Sequence, residues 1–221
     1  MPLHPRTGGV RRVLTAFTSL LVLAAWVAGA GSAAAREAGA GHRTETATLA
    51  GGCFWSMNAI FERIKGVEHV VAGFAGGTVE KPSYEEVCTG ATGHAESVQI
   101  TFDPAVISYR DLLHVYFAFH DPTTKDRQGA DEGTQYRSVI FWRGPEQRAI
   151  AQQVIAELTK NRTFHAPIVT DLVPYTAFYP AEDYHQGYYD KNTAQPYCQF
   201  VIAPKVAKLK KLYASKLKGT S

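Results

Sequence analysis

The stretch Thr46-Ala47-Thr48-Leu49-Ala50-Gly51-Gly52-Cys53-Phe54-Trp55-Ser56-Met57-Asn58-Ala59-Ile60-Phe61-Glu62-Arg63-Ile64-Lys65-Gly66 decides how this chain is read. Thr46–Ala50 has the length of a strand, and Gly51-Gly52 ends it. Met57, Ile60, Phe61 and Ile64 then recur at helical spacing, which predicts a helix from near Cys53 to Lys65, stopped by Gly66. Downstream, Val67–Phe74 reads as a strand closed by Gly76-Gly77. Val98, Ile100 and Phe102 alternate with polar residues in a half-buried strand that ends at Asp103-Pro104. Ser108 caps a helix through His120, with Asp111 in the acidic place of a capping box. Ser138–Trp142 has strand length. Pro145 opens a helix to about Lys160 with Ile150, Val154, Ile155 and Leu158 on one stripe. Ile168–Val173 reads as a strand, and Pro204–Lys218 as a basic, exposed terminal helix. Strands and helices alternate irregularly, which argues for an α+β layer sandwich rather than a strictly parallel sheet. The stretch His120–Tyr136 is long, polar and rich in Gly and Asp, and loops of that length are usually functional.

Cys53 follows two glycines and opens the first helix. Unpaired N–H groups and a positive dipole end favour a thiolate there, and such placement makes a nucleophile. The glycines let the backbone turn tightly and a substrate approach closely. Phe54 and Trp55 stand where a helix start should be partly exposed, and could wall in a small apolar group such as a methyl. The plainer alternative makes Cys53 a small buried hydrophobe and the aromatics ordinary core. The physics of this segment leaves both open.

The chain has 221 residues, 45% of them hydrophobic and 19% charged, enough for one domain with a real core. Three cysteines are too few for a disulfide scaffold. Of its 23 basic residues, 3 (Arg6, Arg11 and Arg12) fall in the first 35 positions, which hold no acid. The rest balances 20 acidic residues, so no nucleic-acid footprint is expected. Those arginines precede an apolar run, Val13–Ala28, followed by Ala-x-Ala choices at Ala28–Ala30 and Ala33–Ala35. This is the pattern of a secretory signal peptide, cut near Ala30 or Ala35, and it predicts a periplasmic or secreted protein. An uncleaved anchor is the rival; the run's hydroxyl residues and alanine-rich exit favour cleavage, leaving no stable membrane contact. The organisation expected is a signal over 1–35, a flexible linker over 36–46, a domain over 47–203 and a tail over 204–221.

Gly52-Cys53-Phe54-Trp55 resembles the signature of the A-type peptide methionine sulfoxide reductases. The likeness continues through Gly73-Phe74-Ala75-Gly76-Gly77, Pro82-Ser83-Tyr84-Glu85-Glu86-Val87-Cys88 and Thr92-Gly93-His94-Ala95-Glu96. It resumes at His120-Asp121-Pro122-Thr123, Gly133-Thr134-Gln135-Tyr136-Arg137-Ser138 and Phe178-Tyr179-Pro180-Ala181-Glu182-Asp183-Tyr184-His185-Gln186. The resemblance implies a ferredoxin-like two-layer α/β sandwich, with a mixed sheet and long irregular loops. It also implies reduction of the S epimer of methionine sulfoxide, protein-bound or free, with a thioredoxin-like protein as reductant.

That chemistry needs a soft nucleophile for sulfur and a proton for the departing oxygen. Cys53 supplies the first. Glu96 is the candidate acid, since burial can raise a carboxyl's pKa. Tyr84 and Tyr136 can hydrogen-bond the oxygen as charge builds on it. The family's motifs put the same roles on these three residues, Phe54 and Trp55 at the methyl, and Asp131 among the groups that arrange the site. Without the resemblance, Glu96 reads as an exposed charge in a polar turn, the tyrosines as structural and Asp131 as a loop carboxylate. After attack Cys53 should carry a sulfenic acid, which a second thiol condenses with. Cys198 matches the family's resolving cysteine; Cys88 matches a position with no catalytic part. The family's glycine-rich tail with a recycling cysteine is replaced by lysine-rich sequence. Ser56 and Glu132 also depart from it, standing where glycine and an aliphatic residue are usual.

No cofactor is implied, because there is no dinucleotide loop or CxxC pair, and His94 and His185 lack the partners of a metal site. They are read as supporting or structural. Nothing in the sequence demands more than a monomer. Two other readings compete: a thiol peroxidase-like enzyme using the same sulfenate, and a secreted binding domain with a structural Cys53–Cys198 disulfide.

Overall fold

The computed structural model describes residues 43–219; the expected signal over 1–35 and most of the linker lie outside the described residues. The first strand, β1 (Glu45–Gly51), begins two residues before the expected domain boundary. It is buried on both faces over its second half, because it forms the middle of a sheet rather than an edge. Helix α1 (Phe54–Phe61) follows, then β2 (Val67–Ala75), the short helix α2 (Tyr84–Cys88), β3 (Ala95–Phe102) and α3 (Tyr109–Phe119). A hairpin, β4 (Arg127–Gln128) with β5 (Asp131–Glu132), precedes β6 (Ser138–Trp142), α4 (Pro145–Lys160), β7 (Asp171–Pro174) and β8 (Phe178–Pro180). Two more helices, α5 (Tyr188–Lys191) and α6 (Ala203–Leu212), complete the order.

The main sheet runs β7-β6-β1-β3-β2-β8. Its central four strands are antiparallel throughout, with Leu49 opposite Val98 and Ile140, and β7 joins β6 in parallel. The order β6-β1-β3-β2, with α1 and α3 crossing between strands, is the ferredoxin-like arrangement. The mixed α+β sandwich is therefore as expected. Helix α1 ends at Phe61, short of the expected Lys65, because the chain tightens into turns at Arg63 and Ile64 before Gly66 takes a positive φ of 88°. All its residues except Trp55 are buried, since β2 and β3 cover one side and α5 and α6 another. Ser108 caps α3 by accepting the Asp111 N–H. A full capping box stands instead at Ser83 and Glu86, on a helix whose five residues are too few to show a periodicity.

The terminal helix departs from expectation. Pro204–Lys218 reads as exposed because lysines dominate it, yet Val206 and Leu209, spaced by three, enter the core. Lys208 Nζ donates to the Ala118 carbonyl at 2.8 Å, and Leu217 bridges to Ile64. The tail is part of the domain; Lys208, Lys210 and Lys211 are exposed, while Lys205 is half-buried, with Cys53 and Asp131 among the charges that act on it.

The polar stretch His120–Tyr136 is folded rather than loose. The Gln128 side chain exchanges hydrogen bonds with the Asp121 backbone, as acceptor and donor, both at 3.1 Å. Gln128 lies directly over Gly52, where a Cβ would come within 2.4 Å of its Cγ. Gly52 also holds φ at +86°, so only glycine lets this segment close down beside Cys53.

Candidate active site

Cys53 is the N-cap residue of α1, and its carbonyl accepts the Ser56 and Met57 N–H groups at 3.1 and 3.4 Å. The free N–H of Phe54, however, goes to a different group. It donates to Glu96 Oε2 at 3.0 Å, so the carboxyl at the start of β3 occupies the helix N-terminus. Glu96 is buried, not the exposed charge of the plainer reading. Burial outweighs the N–H bond and pushes its pKa up to about 8.

The thiol itself departs from expectation. The helix start should depress the Cys53 pKa, but it is raised well above its ordinary value. Burial is the main cause and the neighbouring Glu96 the next. The helix start still acts on the thiol through the Trp55 N–H, but burial outweighs it and the thiol holds its proton.

Around this pair the fold gathers the other expected residues. Tyr136 closes a tight turn, Thr134–Tyr136, after the hairpin, with Glu96 and then Cys53 as the charges that act on it most. Tyr84 opens α2; its ring stacks on Phe54 at 6.2 Å between centroids. Burial raises the pKa of both tyrosines, so both keep their protons for donation. Phe54 is fully buried against Phe74, Tyr84 and His185, contrary to the partial exposure expected of a first helical turn. A short first turn sunk between β2 and the segment after β8 leaves it no open side. Trp55 keeps part of its ring exposed and stacks on Tyr188 at 3.7 Å with 7° between planes.

Asp131, on β5, accepts a 2.7 Å hydrogen bond from Tyr197 Oη. Tyr197 also lies close enough to the Cys53 sulfur to pull the thiol's pKa down, and sets its ring edge-on to Trp55 at 5.9 Å. Its contact with the nucleophile is invisible in the sequence, where only its place before Cys198 marks it. Cys198 starts a π-helical turn, Cys198–Ile202, and is fully buried. It is thus one residue removed from a side chain that touches Cys53. All three cysteines are free thiols.

The family model described as peptide methionine sulfoxide reductase matches residues 45–217. The chain belongs to that family. The peptide methionine sulfoxide reductase MsrA of Saccharolobus solfataricus is 53% identical over 174 residues, covering 79% of this chain and 97% of that protein. MsrA of Thermus thermophilus is 53% identical over 174 residues, 79% of this chain and 98% of that one. Among solved structures, reduced Mxr1 from Saccharomyces cerevisiae superposes with a TM-score of 0.64 at 35% identity, covering 71% and 90% of the two chains. Methionine sulfoxide reductase A of Corynebacterium diphtheriae gives 0.61 at 36%, covering 69% and 76%. The match to the family runs through α6 to Leu217, past the expected domain end at 203. As a methionine sulfoxide reductase, the chain is an oxidoreductase that returns methionine sulfoxide in peptides to methionine.

Proposed function

We propose that Cys53 and Glu96 carry the sulfur chemistry, on the S epimer of methionine sulfoxide. The observation behind this is the shared burial of the two groups at the head of α1, with Glu96 on the Phe54 N–H. Glu96 gives its proton to the sulfoxide oxygen, helped by hydrogen bonds from Tyr84 and Tyr136. The Cys53 sulfur attacks the sulfoxide sulfur to form a transient S–S bond, and the thiol proton replaces the one Glu96 has lost. The oxygen then passes to Cys53 as both the substrate S–O bond and the transient S–S bond break, leaving a sulfenic acid and methionine as the thioether. The substrate sulfur gains two electrons and Cys53 loses two. Trp55, with Phe54 beneath it, holds the methyl, and Asp131 arranges the rest of the substrate once Tyr197 has given it up.

The Cys198 thiol then attacks the sulfenic sulfur, water leaves and a Cys53–Cys198 disulfide forms. A thioredoxin-like dithiol restores both thiols. The signal-like N-terminal sequence argues for work outside the cytoplasm. The substrates there are oxidised proteins and free methionine sulfoxide, and the working unit is a monomer. There the dithiol has to be fed electrons from across the membrane.

Two variants test the order of events. Cys53→Ser should abolish the first turnover, whereas Cys198→Ser should complete it and then stall unless a small thiol is supplied. Equal loss of the first turnover in both would exclude this division of labour.

A further inference from the structure

His185 sits in the tight turn Asp183–His185 just after β8 and is almost completely buried. Gln186 bolts that turn to the sheet: its side chain accepts the Ala72 N–H at 2.8 Å and donates to the Ala72 and Ala181 carbonyls, both at 2.9 Å. The imidazole lies among Phe54, Tyr84 and Tyr184, with centroids 5.0, 4.4 and 4.1 Å away. Its Nδ1 is 2.9 Å from Trp55 Nε1. An indole nitrogen can only donate, so Nδ1 must accept and the ring proton resides on Nε2. Nε2 points toward Glu182 Oε2 at 3.8 Å, too far for a hydrogen bond, and both atoms are buried without a hydrogen-bond partner. The other oxygen of Glu182 accepts the Tyr84 N–H at 3.0 Å.

A purely structural ring in this aromatic nest would be better as phenylalanine, because a buried nitrogen without a hydrogen-bond partner is costly. The polar ring is accounted for by what it holds. We propose that His185 is a positioning residue that fixes the Trp55 indole as the wall of the methyl pocket, and so sets the size of the S-alkyl group accepted. Glu182 supports it from behind: its charge favours the proton on Nε2, which keeps Nδ1 an acceptor, and its second oxygen ties the same turn to Tyr84. The proposal rests on the reading of Trp55 as the methyl wall.

The test compares N-acetyl methionine S-sulfoxide with its S-ethyl counterpart, in wild type, His185→Phe, His185→Asn and Glu182→Gln. His185→Phe fills the volume but removes the acceptor. It should raise KM for the methyl substrate about tenfold, with kcat within about twofold, because an orienting contact is lost without touching the reacting atoms. Its preference for methyl over ethyl should shrink by at least about fivefold, and the Trp55 contribution to the emission spectrum should shift. His185→Asn, whose amide oxygen can take the place of Nδ1, should recover KM to within about threefold of wild type. Glu182→Gln changes a half-exposed side chain and keeps the fold; it should give an intermediate rise in KM. Wild-type KM and methyl preference in both His185→Phe and Glu182→Gln would overturn the proposal, as would equal impairment in the Asn and Phe variants. A wild type that reduces neither sulfoxide would overturn the proposed function itself, which is a different result.

Discussion

Glu96 shows how one residue acquires its chemistry from its place. A carboxyl has an ordinary pKa of 4.5, but burial at the start of β3 carries this one to about 8, against the pull of the Phe54 N–H. It is therefore an acid at neutral pH, which is the state that can protonate a departing oxygen. The first-turnover rate should fall as pH rises through about 8, because the deprotonated form has no proton to give. Glu96→Gln should slow that turnover by roughly 10²–10⁴-fold, a loss that stopped-flow kinetics would register. Stability should respond to pH in the same direction, and to the glutamine substitution in the opposite one. A folded pKa above the unfolded one means the fold holds the proton, so stability is lost as pH climbs from the ordinary carboxylate range toward 8. The glutamine variant escapes that loss, and its melting temperature should exceed wild type by more at pH 8 than at pH 5. Equal pH profiles for melting in the two proteins would remove burial as the source of the acid.

At the scale of elements, the site is assembled from pieces that differ in how plainly the sequence announces them. The entry to α1 is legible, because glycines before a cysteine and apolar residues at helical spacing admit few conformations. The caps of α3 and α4 are legible for the same local reason. Helix α2 and strand β8 are not, being too short to show a period, and yet they carry Tyr84 and the turn that holds His185. The π-helical turn at Cys198–Ile202 has no sequence mark, and neither has the hydrogen bond from Tyr197, just before it, to Asp131. That turn has to open if Cys198, fully buried, is to meet the Cys53 sulfenic acid. Amide hydrogen exchange should therefore quicken over 196–202 after one turnover with sulfoxide, while β1 and β3 stay protected. Unchanged exchange there would mean that the two sulfurs meet without opening the turn.

Over the whole molecule, the sheet order is set by pairings far apart in sequence, such as Leu49 with Val98 and Ile140, and no local pattern encodes them. The layer class follows from the mix of strands and helices; the ferredoxin-like order became an expectation only through the family resemblance. The electrostatics are likewise a product of assembly. Nothing local shows that Cys53 would be buried beside Glu96, and burial first, with that carboxyl second, replaces the expected thiolate by a protonated thiol. The lysine-rich tail reads as surface for a similar reason, since Val206 and Leu209 reveal a buried face only once α1 and α3 are there to meet it. What the assembled molecule is claimed to do is reduce one epimer of methionine sulfoxide with Cys53 and capture the product oxidation with Cys198. Single-turnover reaction of the fully reduced protein with the separated S and R epimers, followed by mapping of its disulfides, tests this most directly. The account predicts loss of one equivalent of the S epimer, none of the R epimer, and one new bond between Cys53 and Cys198. Consumption of the R epimer, or of neither, would contradict it.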